Sequence, residues 1–195
     1  MNTIVRPALM LCGLLSLLTG LAYPAVVTAV AGWVFPAQAA GSLILADGAV
    51  AGSRLIGQVF EDPRHFWGRP SATAPQPYNG AASSGSNLGP LNPALAEAVQ
   101  ARVQGLRAAD PGNPAPVPAD LVQASGSGLD PHISPAAAAY QIGRIARLRG
   151  IAPAALESLV AAHTEGRQWG LFGEPRVHVL ALNRALDERF PVEGR

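Results

Sequence analysis

Two short runs of this 195-residue chain carry side chains whose types and spacing could do chemistry. The first reads Ser84-Gly85-Ser86-Asn87-Leu88-Gly89-Pro90 and leads into Asn92-Pro93; the second reads Ser125-Gly126-Ser127-Gly128-Leu129-Asp130-Pro131 and leads into Ser134-Pro135. Both follow S-G-S-x-L-x-P, then a spacer, a capping side chain and a proline, which together signal a helix start. A glycine-rich loop at a helix N-terminus can hold phosphate, because its N–H groups are exposed and the helix dipole favours an anion. Here the proline removes one donor and the capping side chain takes another. Two readings stand side by side. Each run is simply a turn feeding a capped helix, or the two loops share a backbone shape and face a common surface. In the second case Gly85, Ser86, Asn87, Ser125, Gly126, Ser127, Gly128 and Asp130 are the residues for interaction or nucleotide contact.

Other chemistry finds less support. Neither run contains G-x-S-x-G, and Ser127, Asp130 and His132 lie in one tight loop, whereas the members of a catalytic triad come from separate elements. His65, His132, His163 and His178 share no ligand spacing and have no cysteine partner, so no metal is expected. The chain has no lysine, which removes a Walker-type phosphate loop and Schiff-base chemistry. Beyond Arg6, 13 arginines face 13 acids, so no basic excess points to nucleic acid. The run Phe66-Trp67-Gly68-Arg69-Pro70 offers rings that could stack on a ligand or a guanidinium, although such a pair more often plugs the space under a loop. The chemistry favours an interaction module over an enzyme.

The elements that must position these loops are mostly helical. Leu95, Val99, Val103 and Leu106 continue with helical spacing after Asn92-Pro93, up to Pro111. Ser134-Pro135 opens a helix through Ile142, Ile145 and Leu148 that ends at Gly150, with Arg144, Arg147 and Arg149 near its C-terminus, where they favour the dipole. Pro153 begins a third helix that buries Leu156, Leu159 and Val160, and a fourth is expected from about Arg176 to Arg189. Ahead of them, Leu43 to Phe60 reads as a short strand or hairpin region punctuated by Asp47-Gly48 and Gly52. Gly68 to Pro93 lacks periodicity; so long a loop in a compact domain is functional or disordered.

The N-terminal part is of another kind. No charge occurs between Arg6 and Asp47, and Ala8 to Val30 is apolar apart from Ser16, Thr19, Thr28 and a few glycines. Its 23 residues reach about 35 Å at 1.5 Å per residue, enough to cross a hydrocarbon core of about 30 Å. Arg6 precedes it and the next cation is Arg54, which predicts a cytoplasmic N-terminus. Pro24 is placed to kink its second half, and Tyr23 and Trp33 are candidate interfacial aromatics. A cleaved signal peptide is the rival, since Ala37-Gln38-Ala39 fits a cleavage site, but the apolar run is too long and the site too far beyond it. The lone Cys12 lies in the apolar run, so the following domain has no disulfide. The expected organisation is an α+β chain: residues 1–7 cytoplasmic, a transmembrane helix at 8–30, a linker at 31–42, and a mostly helical extracytoplasmic domain at 43–195 with a short strand region near its start.

The succession Gly52-Ser53-Arg54-Leu55-Ile56-Gly57-Gln58, Phe66-Trp67-Gly68-Arg69-Pro70-Ser71-Ala72-Thr73, Tyr78-Asn79, the two S-G-S-x-L-x-P runs with His132-Ile133-Ser134-Pro135, and Gly173-Glu174-Pro175-Arg176-Val177 with Val179-Leu180-Ala181-Leu182-Asn183 resembles the C subunit of the bacterial potassium-transporting ATPase, the KdpC family. The resemblance covers nearly the whole chain. It departs at Ser84, where the family usually has glycine, and at His178, where it usually has asparagine. It implies a non-catalytic accessory subunit of a high-affinity, ATP-driven potassium uptake complex in the bacterial inner membrane. The implied partners are a channel-like potassium-binding subunit, a P-type ATPase catalytic subunit and a small single-helix subunit. The family is described as a catalytic chaperone that raises the ATP affinity of the ATPase subunit, with no tightly bound cofactor and ATP shared transiently. An external domain cannot touch cytoplasmic ATP, so either such an effect passes through the membrane subunits as coupling between sites, or the topology is reversed and the two loops bind nucleotide directly. The alternative is a module at the potassium entrance with no nucleotide contact.

Overall fold

The computed structural model describes residues 2–46 and 48–191. Asp47, half of the expected Asp47-Gly48 turn, lies outside them. The chain divides into two compact units, Met1–Ala51 and Gly52–Arg195.

The first unit is dominated by a nearly continuous helix, α1 (Asn2–Leu17), a π-helical turn (Leu18–Ala22) and α2 (Tyr23–Val34). Thr3–Val34 is long and apolar enough to cross a membrane, and none of its most apolar stretch is buried by the rest of the protein. The helix exceeds the expected 8–30 at both ends, because neither Arg6-Pro7 nor Trp33 breaks it. It stops at Phe35, whose successor Pro36 disfavours helical backbone in the residue before it. The π turn sits directly before Pro24. Proline clashes with the carbonyl one turn back, and a wider turn with the Tyr23 N–H on the Leu18 carbonyl accommodates it. A short helix α3 (Pro36–Ala39) follows, and then β1 (Leu43–Ala46) pairs with β2 (Ala49–Ser53). The expected strand region thus ends at Ser53 rather than Phe60.

The second unit contains α4 (Pro93–Ala109), a 3-10 turn (Ala119–Leu121), β3 (His132–Ile133), α5 (Pro135–Arg149), α6 (Pro153–Ala162), β4 (Thr164–Glu165), β5 (Arg176–His178) and α7 (Val179–Arg189). Asn92 and Ser134 cap α4 and α5 through their side-chain oxygens, and Gly150 ends α5 in the left-handed conformation. One expectation is corrected. Residues 176–178 are not the first turn of a helix but the middle strand of an antiparallel sheet ordered β3-β5-β4. Val177, fully buried, is β-branched and follows Pro175, and His178 then caps α7. The core gathers Ile133, Val177, Ala137 and Ile145 of α5, Leu156 and Leu159 of α6, and Leu182 and Leu186 of α7 around Phe66. Leu148 is the exception on α5, left exposed.

The long segment 54–92 has little regular structure but is tied down by side chains. Asn183 accepts from the Phe66 N–H at 2.8 Å and donates to the Phe66 carbonyl at 2.9 Å. Gln141 does the same for Trp67, at 2.8 and 3.1 Å. Two buried amides thus replace the partner strand that these peptides lack. Both expectations for the aromatic pair hold: Phe66 is the plug, and the Arg144 guanidinium lies 4.0 Å over the Trp67 ring. Arg144 also donates to the carbonyls of Pro63 and His65 and to Gln141, and its burial brings its pKa down to about 10. Arg147 pairs with Asp110 and Arg149 with Asp187, so the arginines at the end of α5 act through specific partners.

Candidate functional site: an interlocked pair of glycine-serine loops

The two S-G-S-x-L-x-P loops touch. The Ser84 N–H and the Ser83 hydroxyl both donate to the Ser127 carbonyl at 3.0 Å. A Cβ on Gly85 would come within 2.8 Å of the Gly126 carbonyl oxygen, and one on Gly128 within 2.5 Å of the Ser84 oxygen. The fourth residue of each run, Asn87 and Gly128, has left-handed backbone, with φ of 51° and 69°. The sharing of both surface and local shape favours the second of the two readings drawn from the sequence. Gly tolerates this φ freely and Asn better than most residues, which accounts for the residue types at that position.

The rest of the pair is held by the segment before it. Ser71 donates to the Gly128 carbonyl at 2.7 Å and accepts from the Tyr78 N–H at 2.9 Å, and the Ser125 N–H reaches the Pro70 carbonyl. Asp130 joins Arg69 at 3.0 Å and the His132 ring at 3.3 Å. Burial alone would raise the Asp130 carboxyl, but hydrogen bonds from His132 and Arg69 outweigh it and hold the group below the usual carboxylate range. Beside it, burial and the Asp130 charge push Tyr78 up to about 12, so its hydroxyl stays protonated and donates to the Arg69 carbonyl.

Each expected site residue can now be placed. Ser125 and Gly128 are buried within the pair; Gly85 is half-buried; Ser86, Asn87, Gly126 and Ser127 lie on the exposed rim; Asp130 is turned to Arg69 and His132. Ser127 Oγ accepts from the Leu129 N–H, so the structure brings the Ser127 hydroxyl to its own backbone and Asp130 to His132, with no serine–histidine relay among the described bonds. Four N–H groups of the pair are spent internally: Ser84 on Ser127, Ser125 on Pro70, Gly128 on Ser125 and Leu129 on Ser127. Composition gave no warning of Asp120. Its carboxylate accepts from the Ser134 N–H at 2.7 Å and the Ser134 hydroxyl at 3.2 Å, so the N-terminus of α5 already holds an anion. A groove of about 670 Å³ lies elsewhere, between the proline-rich loop 110–118 and α5, lined by Pro114, Pro116, Pro118, Tyr140 and Arg147. Among the described residues, no three His, Cys, Asp or Glu side chains converge as a metal site.

The loops, the Phe66-Trp67 clamp and the capped helices stand in one order along the chain, and the family model described as the K+-transporting ATPase c chain matches that order over residues 5–188. The chain belongs to the KdpC family. It is 67% identical over 187 residues to the potassium-transporting ATPase KdpC subunit of Variovorax paradoxus, covering 96% of this chain and 97% of the relative. The KdpC subunit of Polaromonas naphthalenivorans is 65% identical over 194 residues, covering 100% and 99%. That of Dechloromonas aromatica is 62% identical over 187 residues. As a KdpC family member the chain is a subunit of a K+-transporting ATPase.

The two departures from the KdpC pattern have physical readings. His178 Nδ1 accepts from the Ala181 N–H at 3.2 Å, the capping role for which asparagine is well suited, while Nε2–H donates to the Arg54 carbonyl at 3.0 Å. The cap on Nδ1 requires the neutral ring, with its proton on Nε2, and burial lowers the His178 pKa. Ser84 uses its N–H for the cross-loop bond, a group that glycine also has, so this exchange leaves the bond in place.

Proposed function

We propose that this KdpC family chain is a non-catalytic accessory subunit that docks on and stabilises a P-type potassium-transporting ATPase. Its single helix crosses the inner membrane with the N-terminus in the cytoplasm, and its folded domain stands outside, next to the potassium-binding, channel-like subunit. The ATPase catalytic subunit and a small single-helix subunit complete the assembly. The charge placement around the helix supports the orientation: Arg6 before it, and no cation after it until Arg54.

The observation that carries the reading is the interlocking of the two signature loops. Four of their N–H groups are spent on one another or on Pro70, Ser71 donates to the Gly128 carbonyl, and the α5 N-terminus faces Asp120. Such a pair is suited to presenting a fixed rim, Ser86, Asn87, Gly126 and Ser127, to a partner protein, and ill suited to wrapping a triphosphate. A rise in the ATP affinity of the catalytic subunit is then a coupling free energy carried through the membrane subunits, with no nucleotide shared by this chain. Labelling intact cells with a membrane-impermeant thiol reagent tests this, using Ser158→Cys, exposed on α6 and outside the docking rim, in a Cys12→Ser background. Labelling from outside is the expected result; protection until the membrane is opened overturns both the orientation and the external docking.

A further inference from the structure

Between β4 and β5 the chain makes a tight loop, Arg167-Gln168-Trp169-Gly170-Leu171-Phe172-Gly173-Glu174, that none of the roles above uses. Trp169, Leu171 and Phe172 are 81%, 75% and 60% exposed. They project from an ordered frame. Gln168 and Phe172 exchange backbone hydrogen bonds of 2.8 and 3.0 Å, the Gly170 N–H reaches Arg167 O, and the Leu171 N–H reaches Gln168 O. Trp169 itself adopts φ of 53°, between the ordinary backbone of Gln168 and a left-handed Gly170. For a bulky L-residue that conformation costs about 1 kcal/mol or more, and here it serves to hold an indole in the open. The Trp169 and Phe172 rings meet edge to face at 6.0 Å. At the neck the charges cancel, Arg167 against Glu174 at 2.6 Å and Arg176 against Glu165 at 2.8 Å.

We infer that this loop is a second membrane contact, its Trp-Leu-Phe tip entering the interfacial zone of the bilayer that the N-terminal helix spans. Tryptophan and its apolar companions are the side chains that partition at that depth. Four of the tip's N–H groups, those of Gln168, Gly170, Leu171 and Phe172, are bonded within the loop, which lowers the cost of moving the tip from water towards the hydrocarbon boundary. The neck brings no unpaired charge towards the headgroups. The chain between Val34 and Gly52 is 17 residues, at most roughly 60 Å even fully extended. The bilayer is therefore always within reach, and an apolar contact too small to hold a free protein suffices for a tethered one.

The inference rests on the helix spanning the membrane, and the test separates the two. Three full-length chains with single cysteines are labelled with an environment-sensitive fluorophore and placed in phosphatidylcholine–phosphatidylglycerol nanodiscs with nitroxides at shallow or deep positions. Native Cys12 reports the helix. Leu171→Cys and Ser158→Cys, both in Cys12→Ser, report the loop and an exposed position on α6. Thermal unfolding confirms that each variant is folded. Strong quenching at 171 by the shallow nitroxide, with a blue-shifted emission and neither effect at 158, is the expected result. Quenching at Cys12 with a water-exposed spectrum at 171 overturns the loop contact and leaves the anchor intact. No quenching at Cys12 overturns the anchor itself. Shielding at 171 that arises only in the assembled ATPase, without nitroxide quenching, overturns the lipid contact in favour of a protein partner.

Discussion

Gly85, Gly126 and Gly128, three of the four glycines of the paired loops, look alike in the sequence, yet the geometry ranks them sharply. In Gly128→Ala the new Cβ meets the Ser84 carbonyl oxygen at 2.5 Å and the Thr73 methyl at 2.6 Å, at a φ of +69°. The left-handed backbone alone costs an alanine about 1–2 kcal/mol. Relief of the clash pushes the 84–85 segment away and weakens the Ser84–Ser127 bond at 3.0 Å and the Ser71–Gly128 bond at 2.7 Å, each worth about 0.5–1.5 kcal/mol. The sum is roughly 2–5 kcal/mol, a fall in Tm on the order of 10 °C for a chain of this size. Gly126→Ala, two residues away, places its Cβ with no atom within 4 Å and should stay within about 0.5 kcal/mol of the parent. Gly85→Ala, 2.8 Å from the Gly126 oxygen, falls between. Thermal unfolding of the full chain in detergent measures all three, and co-purification with the other ATPase subunits shows whether docking follows stability. Equal losses for Gly126→Ala and Gly128→Ala, or none for the latter, would refute the interlocked geometry.

Asn183→Ala leaves the N–H and carbonyl of Phe66 buried and unpaired, at about 1–3 kcal/mol for each group; Gln141→Ala does the same to Trp67 and also strips an acceptor from Arg144. Denaturant unfolding of the two single variants and the double should show coupling, since all three side chains form one network. His178 supplies a pH dependence. Its pKa is lowered in the folded chain from the ordinary value of 6.5, so the unfolded chain binds the proton first as pH falls. This contribution to stability is therefore complete above pH 6.5 and is lost as the pH drops below it towards the folded value. Unfolding curves between about pH 5.5 and 7.5, within the imidazole range, should show that slope in the parent and lose it in His178→Asn, which keeps a capping side chain.

The helix starts were legible because each is written locally. Asn92-Pro93, Ser134-Pro135 and Pro153 need only a few residues to declare themselves, and the side chains of Asn92 and Ser134 cap as read. The repeat was also legible, since two loops of one pattern have one pattern of left-handed positions. The three-stranded sheet was not. Its outer strands are two residues each, too short for an alternation, and its middle strand runs straight into α7, so that the apolar spacing reads as one helix. Gln141 and Asn183 were equally silent. A polar side chain on the inner face of a helix does not reveal that its partner is a peptide 74 or 117 residues earlier, nor does Asp120 reveal that it will sit at the start of α5. Long-range pairing of polar groups carries no period.

The order β3-β5-β4 puts the last-made strand in the centre, and the clamp on Phe66 waits for Asn183, near the end of the chain. No N-terminal fragment that stops short of β5 can close this sheet, and none that stops short of Asn183 can satisfy that peptide. Contacts of such wide sequence separation form slowly, only after the intervening chain has been gathered in. Under the proposed external placement, a domain threaded through a translocation pore benefits from that delay. The part that emerges first has nothing complete to collapse onto, and the domain locks only when synthesis has delivered its final helix.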